Sequence, residues 1–164
     1  MDYVLDTNIL LTYLRKNKYS KYIDKTYAPL SIESTPILSV VSIGEIQSIA
    51  IQNKWGIKKL ESLQTLLNKF VIANINVESI ITRYAEIDAF SQGKLEGDPQ
   101  PRSPIFPFST METKPLNTSS RNMVKNDLWI AATAFILKVK LLTTDNDFKH
   151  LDNQFIELEM VNFK

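Results

Sequence analysis

YVLDTNILLTYL, residues 3–14, is the stretch whose reading decides the fold. The short apolar run over residues 2–5 stops at Asp6, and from Ile9 to Leu14 apolar side chains return at helical spacing. The period changes from strand to helix across a turn that carries an acid. The same grammar recurs downstream. PILSVV, residues 36–41, is β-branched and lacks a helical period, so it reads as a second strand. Ser42 with Glu45 three residues later, ahead of Ile46, Ile49 and Ala50, has the form of a capping box opening a helix. Gly56 separates that helix from an amphipathic stretch over residues 57–67.

FVIANI, residues 70–75, is a third strand, and Val77, Ile80, Ile81, Tyr84 and Ile87 then line one helix face. Periodicity is lost between Gly93 and Asn122, where Pro99, Pro101, Pro104, Pro107 and Pro115 fall; this is read as one long loop inserted in a single domain spanning residues 1–164. Helical spacing resumes with Val124, Leu128, Ala131, Ala132 and Phe135. Residues 139–143 form a fourth strand, a turn holds Asp145 and Asp147, and residues 155–161 alternate as a fifth strand. Strands alternating with helices imply an α/β fold around a largely parallel sheet. Ligands of such sheets bind beyond the carboxyl ends of the strands.

Composition removes several chemistries. The 164 residues contain no cysteine and one histidine, His150. Disulfides and thiolate metal sites are excluded, a Cys/His zinc site nearly so, and a Ser-His-Asp mechanism would have to use His150. No apolar run is long enough for a transmembrane helix. MDYVLDTNIL lacks the basic start of a signal peptide, so a cytoplasmic protein with no membrane association is expected. The net charge of +1 says nothing about nucleic acid. Locally, Arg15, Lys16, Lys18, Lys21 and Lys25 interleave with Tyr19 and Tyr22. That run is either a solvated face or a contact for single-stranded phosphates and bases.

What remains is a set of acids at strand ends. Asp6 ends the first strand, Glu45 follows the second, Asp127 sits in the first turn of the helix leading into the fourth, and Asp145 and Asp147 follow the fourth. Each alone is explained by helix capping and the helix dipole. Capping does not require them all on one side of the sheet. Asp127 also stands above the small residues Ala131 and Ala134, where crowding would raise carboxylate pKa values unless a cation intervened. Carboxylates without cysteine and with almost no histidine select a hard ion, Mg2+ or Mn2+, suited to phosphodiester hydrolysis. Asn126 reads as an N-cap, His150 as a surface or helix-end residue, and Trp129 and Phe135 as packing residues.

Four segments, YVLDTNIL (3–10), SVVSIGEI (39–46), NDLWIAATA (126–134) and LLTTDNDF (141–148), together resemble the PIN-domain nucleases, and within them the VapC toxins. The set is specific where DTN alone is not. The resemblance covers the chain apart from residues 93–122, a loop longer than is usual there. It implies a mostly parallel five-stranded sheet in the order 3-2-1-4-5 and an endoribonuclease using one or two Mg2+ or Mn2+ ions. Asp6, Glu45, Asp127 and Asp145 are then the catalytic acids. Asp6, Asp127, Asp145 and Asp147 are candidate metal ligands, with Asp147 an alternative or additional fourth acid. Asn8 and Thr143 match supporting positions. The resemblance further implies a homodimer and an antitoxin partner covering the acids. The sequence leaves open a housekeeping RNA-processing nuclease and an inactive interaction module. A haloacid-dehalogenase chemistry is disfavoured, since it wants a second aspartate where Asn8 stands.

Overall fold

The computed structural model describes residues 1–95 and 123–163. Five strands, β1 (Tyr3–Leu5), β2 (Pro36–Ser39), β3 (Val71–Ala73), β4 (Lys140–Thr143) and β5 (Leu158–Met160), form one sheet in the order β3-β2-β1-β4-β5. Every neighbouring pair is parallel, with Val4 opposite Ile37 on one side and Leu141 on the other. The expected order is therefore present, and the sheet is wholly parallel.

Parallel strands need crossovers, and the sequence supplies them as helices. These are α1 (Thr7–Leu14), α2 (Lys18–Thr26), α3 (Val40–Gln52), α4 (Ile57–Leu67), α5 (Glu78–Ser91) and α6 (Lys125–Leu137), with a 3-10 turn over Asn146–Leu151. Successive residues of a strand face opposite sides, and here they feed two cores. Val4, Ile37 and Leu141 pack with Ile80 and Ile87 of α5, Leu128 and Ala131 of α6, and Phe148. Tyr3, Leu5, Leu38 and Leu142 pack on the other face with Ile9 of α1, Ile23 of α2, Ile46 of α3 and Leu63 of α4. Val4, Leu5, Leu141 and Leu142 are fully enclosed. Strands covered on both faces read as continuous apolar runs, as these do.

Two local readings are corrected, and a third point concerns a stretch to which the sequence assigned no element. The second strand ends at Ser39, not Val41, and Val40 and Val41 begin α3. Ser39 Oγ accepts the Val41 amide at 3.3 Å, so Ser39 is the cap. Ser42 is buried inside the helix, and Glu45 stands beyond its first turn rather than closing a capping box. The β-branched pair misleads because tertiary packing overrides strand preference. Second, Asn126 lies inside α6, whose cap position is Val124. Third, the basic, tyrosine-bearing stretch contains helix α2, started by Asn17, whose side chain accepts the amides of Tyr19 and Ser20. From residue 96 to 122, the proline-rich stretch expected as a loop lies outside the described residues.

Candidate active site

Strands β1, β2 and β4 end side by side, and the acids follow those ends. Asp6 leaves β1 in extended conformation, tied to β4 by its amide, which donates to the Leu142 carbonyl at 3.0 Å. It occupies the N-cap position of α1, yet its side chain caps nothing. Instead it is only 3 % exposed and accepts a hydrogen bond from Thr143 Oγ1 at 2.8 Å. That hydroxyl in turn accepts the Asp145 amide at 2.9 Å. Thr143, at the end of β4, thereby links the first acid to the backbone of the last.

Asp127 also makes no cap. Burial, followed by the charges of Asp6, Glu45, Asp145 and Asp147, pushes its carboxyl up to about 7. Asp6 is pushed up to about 6, chiefly by burial, with Asp145 and Glu45 adding to the shift against the hydrogen bonds from Thr143 and Thr7. The leading contributions to both shifts are burial and neighbouring acids, with no cationic side chain among them. The five acids thus gather at one sheet edge, and among the described residues no Lys or Arg balances the inner pair.

Glu45, in the second turn of α3, is gripped from two other helices. Thr7 Oγ1 of α1 donates to its Oε2, and Asn126 Nδ2 of α6 donates to its Oε1 at 2.8 Å. Asp145 is a true cap: it starts the 3-10 turn, and its Oδ1 accepts the Asp147 amide at 2.9 Å. Asp147 is exposed and acts on Asp127 more weakly than the other acids. Asn8 is exposed in the first turn of α1 and makes no side-chain hydrogen bond to the described residues.

Thr7 and Asn126 escaped the sequence reading as site residues. Judged by its neighbours Asn126 reads as a cap, and Thr7 carries no charge of its own between Asp6 and Asn8. The signal lay in position: each adjoins an acid of the cluster. His150 packs at the end of the 3-10 turn, bonded to Ser91 Oγ at 2.8 Å and to the Asp147 carbonyl at 2.7 Å. Trp129 stacks on Tyr84 at 4.0 Å, and Phe135 carries the Arg83 guanidinium at 3.8 Å, so both are packing residues. Tyr19 and Tyr22 pack against Phe163.

Among the described residues, no three acidic or histidine side chains form a ready-made metal cage. The donor set nonetheless fits a hard divalent ion. Mg2+ needs only one or two carboxylates, since it keeps most of its waters. Crowded carboxylates whose inner members are buried repel one another, and a divalent ion bound among them would offset that repulsion.

Several solved structures with this architecture are VapBC complexes. A chain of VapBC2 from Rickettsia felis, bound to a DNA fragment from its promoter, superposes with a TM-score of 0.66 at 19 % identity, covering 96 % of this chain and 98 % of that one. A chain of VapBC-1 from nontypeable Haemophilus influenzae does so at 0.66 and 21 %, covering 98 % of both. The chain has the PIN fold of the VapC toxins. FitAcB from Neisseria gonorrhoeae shares that fold at a TM-score of 0.60 and 22 % identity, over 96 % of each chain. No family model matches the sequence, and no curated protein does. The strand order puts the ends of β2, β1 and β4 side by side, and the acids follow those ends.

Proposed function

We propose that this protein is a Mg2+- or Mn2+-dependent endoribonuclease, the toxin of a type II toxin–antitoxin pair acting in the cytoplasm. The observation that carries the reading is the pair Asp6 and Asp127. Both stand at helix starts, neither caps, both are forced towards protonation by burial and neighbouring acids, and among the described residues no Lys or Arg forms an ion pair with either. A helix-capping role would have turned the carboxylates to the first-turn amides.

In this reading Asp6 and Asp127, with Asp145, hold the ion. A divalent ion bound there supplies the charge that activates water and offsets negative charge building on phosphoryl oxygens. Thr143 fixes Asp6 and leaves one of its oxygens for the ion. Thr7 and Asn126 fix Glu45, whose carboxylate orients and deprotonates the attacking water. Asp145, already accepting an amide, has one oxygen to offer, and Asp147 tunes the outer field. RNA is the proposed substrate, as the family resemblance implies. Several of the similar structures are VapBC complexes, a family of toxin–antitoxin systems, which supports an antitoxin partner for this chain. A cationic side chain from that partner would neutralise the acid edge in place of metal. A homodimer belongs to the same proposal.

The experiment is incubation of the purified chain with single-stranded RNA and Mg2+ or Mn2+, with EDTA and the Asp6→Asn variant as controls. Cleavage that needs the ion and Asp6 is expected. Cleavage that persists in EDTA overturns the metal mechanism.

A further inference from the structure

A cavity of about 480 Å³ opens beside Glu45, lined by Val41, Gly44, Ser48 and Ile49 of α3 and by Asn126 of α6. Its volume falls in the range of small-molecule sites, about 300–1,000 Å³. It is continuous with the acid cluster, because Glu45 and Asn126 belong to both. Resting on the nuclease reading, we propose that this groove receives a single unstacked base of the RNA, that of the nucleotide next to the scissile phosphate, and sets the preference for where the chain cuts.

The lining matches a base better than a phosphate. Among the described residues no Lys or Arg lines it. Val41 and Ile49, each partly exposed, offer apolar surface to a flat ring. Polar groups stand at the edges. Asn126 donates its Nδ2 to Glu45, and its Oδ1 carries no hydrogen bond from the described residues, so an acceptor is available. Ser48 Oγ accepts from Gln52 Nε2 at 2.9 Å, which leaves its hydroxyl proton to donate. An acceptor and a donor flanking an apolar slot are what a splayed base offers to satisfy: sequence-specific RNA recognition works on unstacked bases through stacking and edge hydrogen bonds.

Gly44 supplies the space. Glycine is a poor helix former, yet it sits in the second turn of α3, where its φ is helical and needs no glycine. A β-carbon there would meet no atom within 4 Å. Nothing in the packing forbids a side chain at residue 44. The groove would be narrowed by one.

The test is Gly44→Phe, with Ser48→Tyr as a second plug and Gln47→Phe, exposed on the same helix outside the groove, as control. Substrates are single-stranded oligoribonucleotides differing at one base beside the cut. Melting temperatures at or above the parent's and an unchanged Mn2+-induced shift in melting will show that the fold and the acid edge are intact. The plugged variants should raise KM about tenfold or more, the scale of one lost base contact. They should change kcat much less and flatten the preference among the oligonucleotides, while Gln47→Phe behaves as parent. A parent-like KM and preference in both plugged variants overturns the proposal and leaves the groove to a protein occupant. If the parent itself cuts no RNA with either ion, the nuclease reading fails and the subsite falls with it.

Discussion

Asp6 and Asp145 are the same residue type in the same local setting, each the last extended residue before a helical turn at the end of a central strand. They are employed differently. Asp145 accepts the Asp147 amide and caps its turn. Asp6 caps nothing, is buried, and is held by a hydroxyl from the neighbouring strand. Asp127 sides with Asp6. An acid at a helix start therefore announces a site only when it declines the hydrogen bond that its position offers. That refusal costs stability, and it makes sense where a cation is to be held.

The largest effect expected from this contrast is on activity. Asp6→Asn and Asp127→Asn should each lower RNA cleavage about a thousandfold or more, the scale of losing several kcal/mol of charge stabilisation, while the metal-free fold melts no lower than the parent. Asp145→Asn should cost activity and keep stability, because Asn caps as well as Asp. Asp145→Ala should cost activity and also about 0.5–2 kcal/mol of stability. Equal melting of these two Asp145 variants would break the contrast.

Residues that act through the acids come next. Thr143→Val and Asn126→Ala should each lower Mn2+ affinity or cleavage about 10–100-fold, the range for partners that orient a ligand. Calorimetric titration of Mn2+ separates the two: Thr143→Val should weaken the ion, whereas Asn126→Ala should mainly lower kcat through Glu45. A melting loss in Asn126→Ala with kcat intact would return Asn126 to the cap role that the sequence suggested.

The pH dependence of stability is a subtler probe. Asp6 and Asp127 bind protons more tightly in the folded chain, at about 6 and about 7, than unfolded, where aspartate titrates near about 3.9. Raised carboxyl pKa values contribute stability that is fully present below about pH 4 and lost as pH rises through about 6 to 7. Without metal, these two groups should make the parent melt lower at pH 8 than at pH 5. The double variant Asp6→Asn/Asp127→Asn should lose much of that difference. Asp147→Asn should have the smallest effect of all, a few-fold in rate, since Asp147 is exposed and contributes least to the field at Asp127.

Much of this was legible in the sequence, for physical reasons. Strands buried on both faces show as unbroken apolar runs, and helices on the sheet show as amphipathic periods, so VLD at 4–6 and LLT at 141–143 announced themselves. The acids were legible because strand ends are countable. The boundary between β2 and α3 was not, because Val40 and Val41 favour a strand locally and are turned into a helix by packing. Nor was the grip on Glu45. Its partners lie 38 and 81 residues away in the chain, and no local pattern records a hydrogen bond across that distance. Asn126 illustrates the loss: judged by its neighbours it is a cap, and only the approach of α3 to α6 reveals its use.

The central claim is that the buried acid edge awaits a divalent cation. It is tested most directly by the melting temperature of the parent and of Asp6→Asn at pH 8, with Mn2+ titrated to millimolar concentration. A ligand that binds the folded state alone stabilises it by mass action. The account predicts that Mn2+ raises the parent's melting temperature in a saturable way, and that Asp6→Asn, starting at or above the metal-free parent, shows little or no rise. No rise in the parent, or the same rise in both proteins, would contradict it.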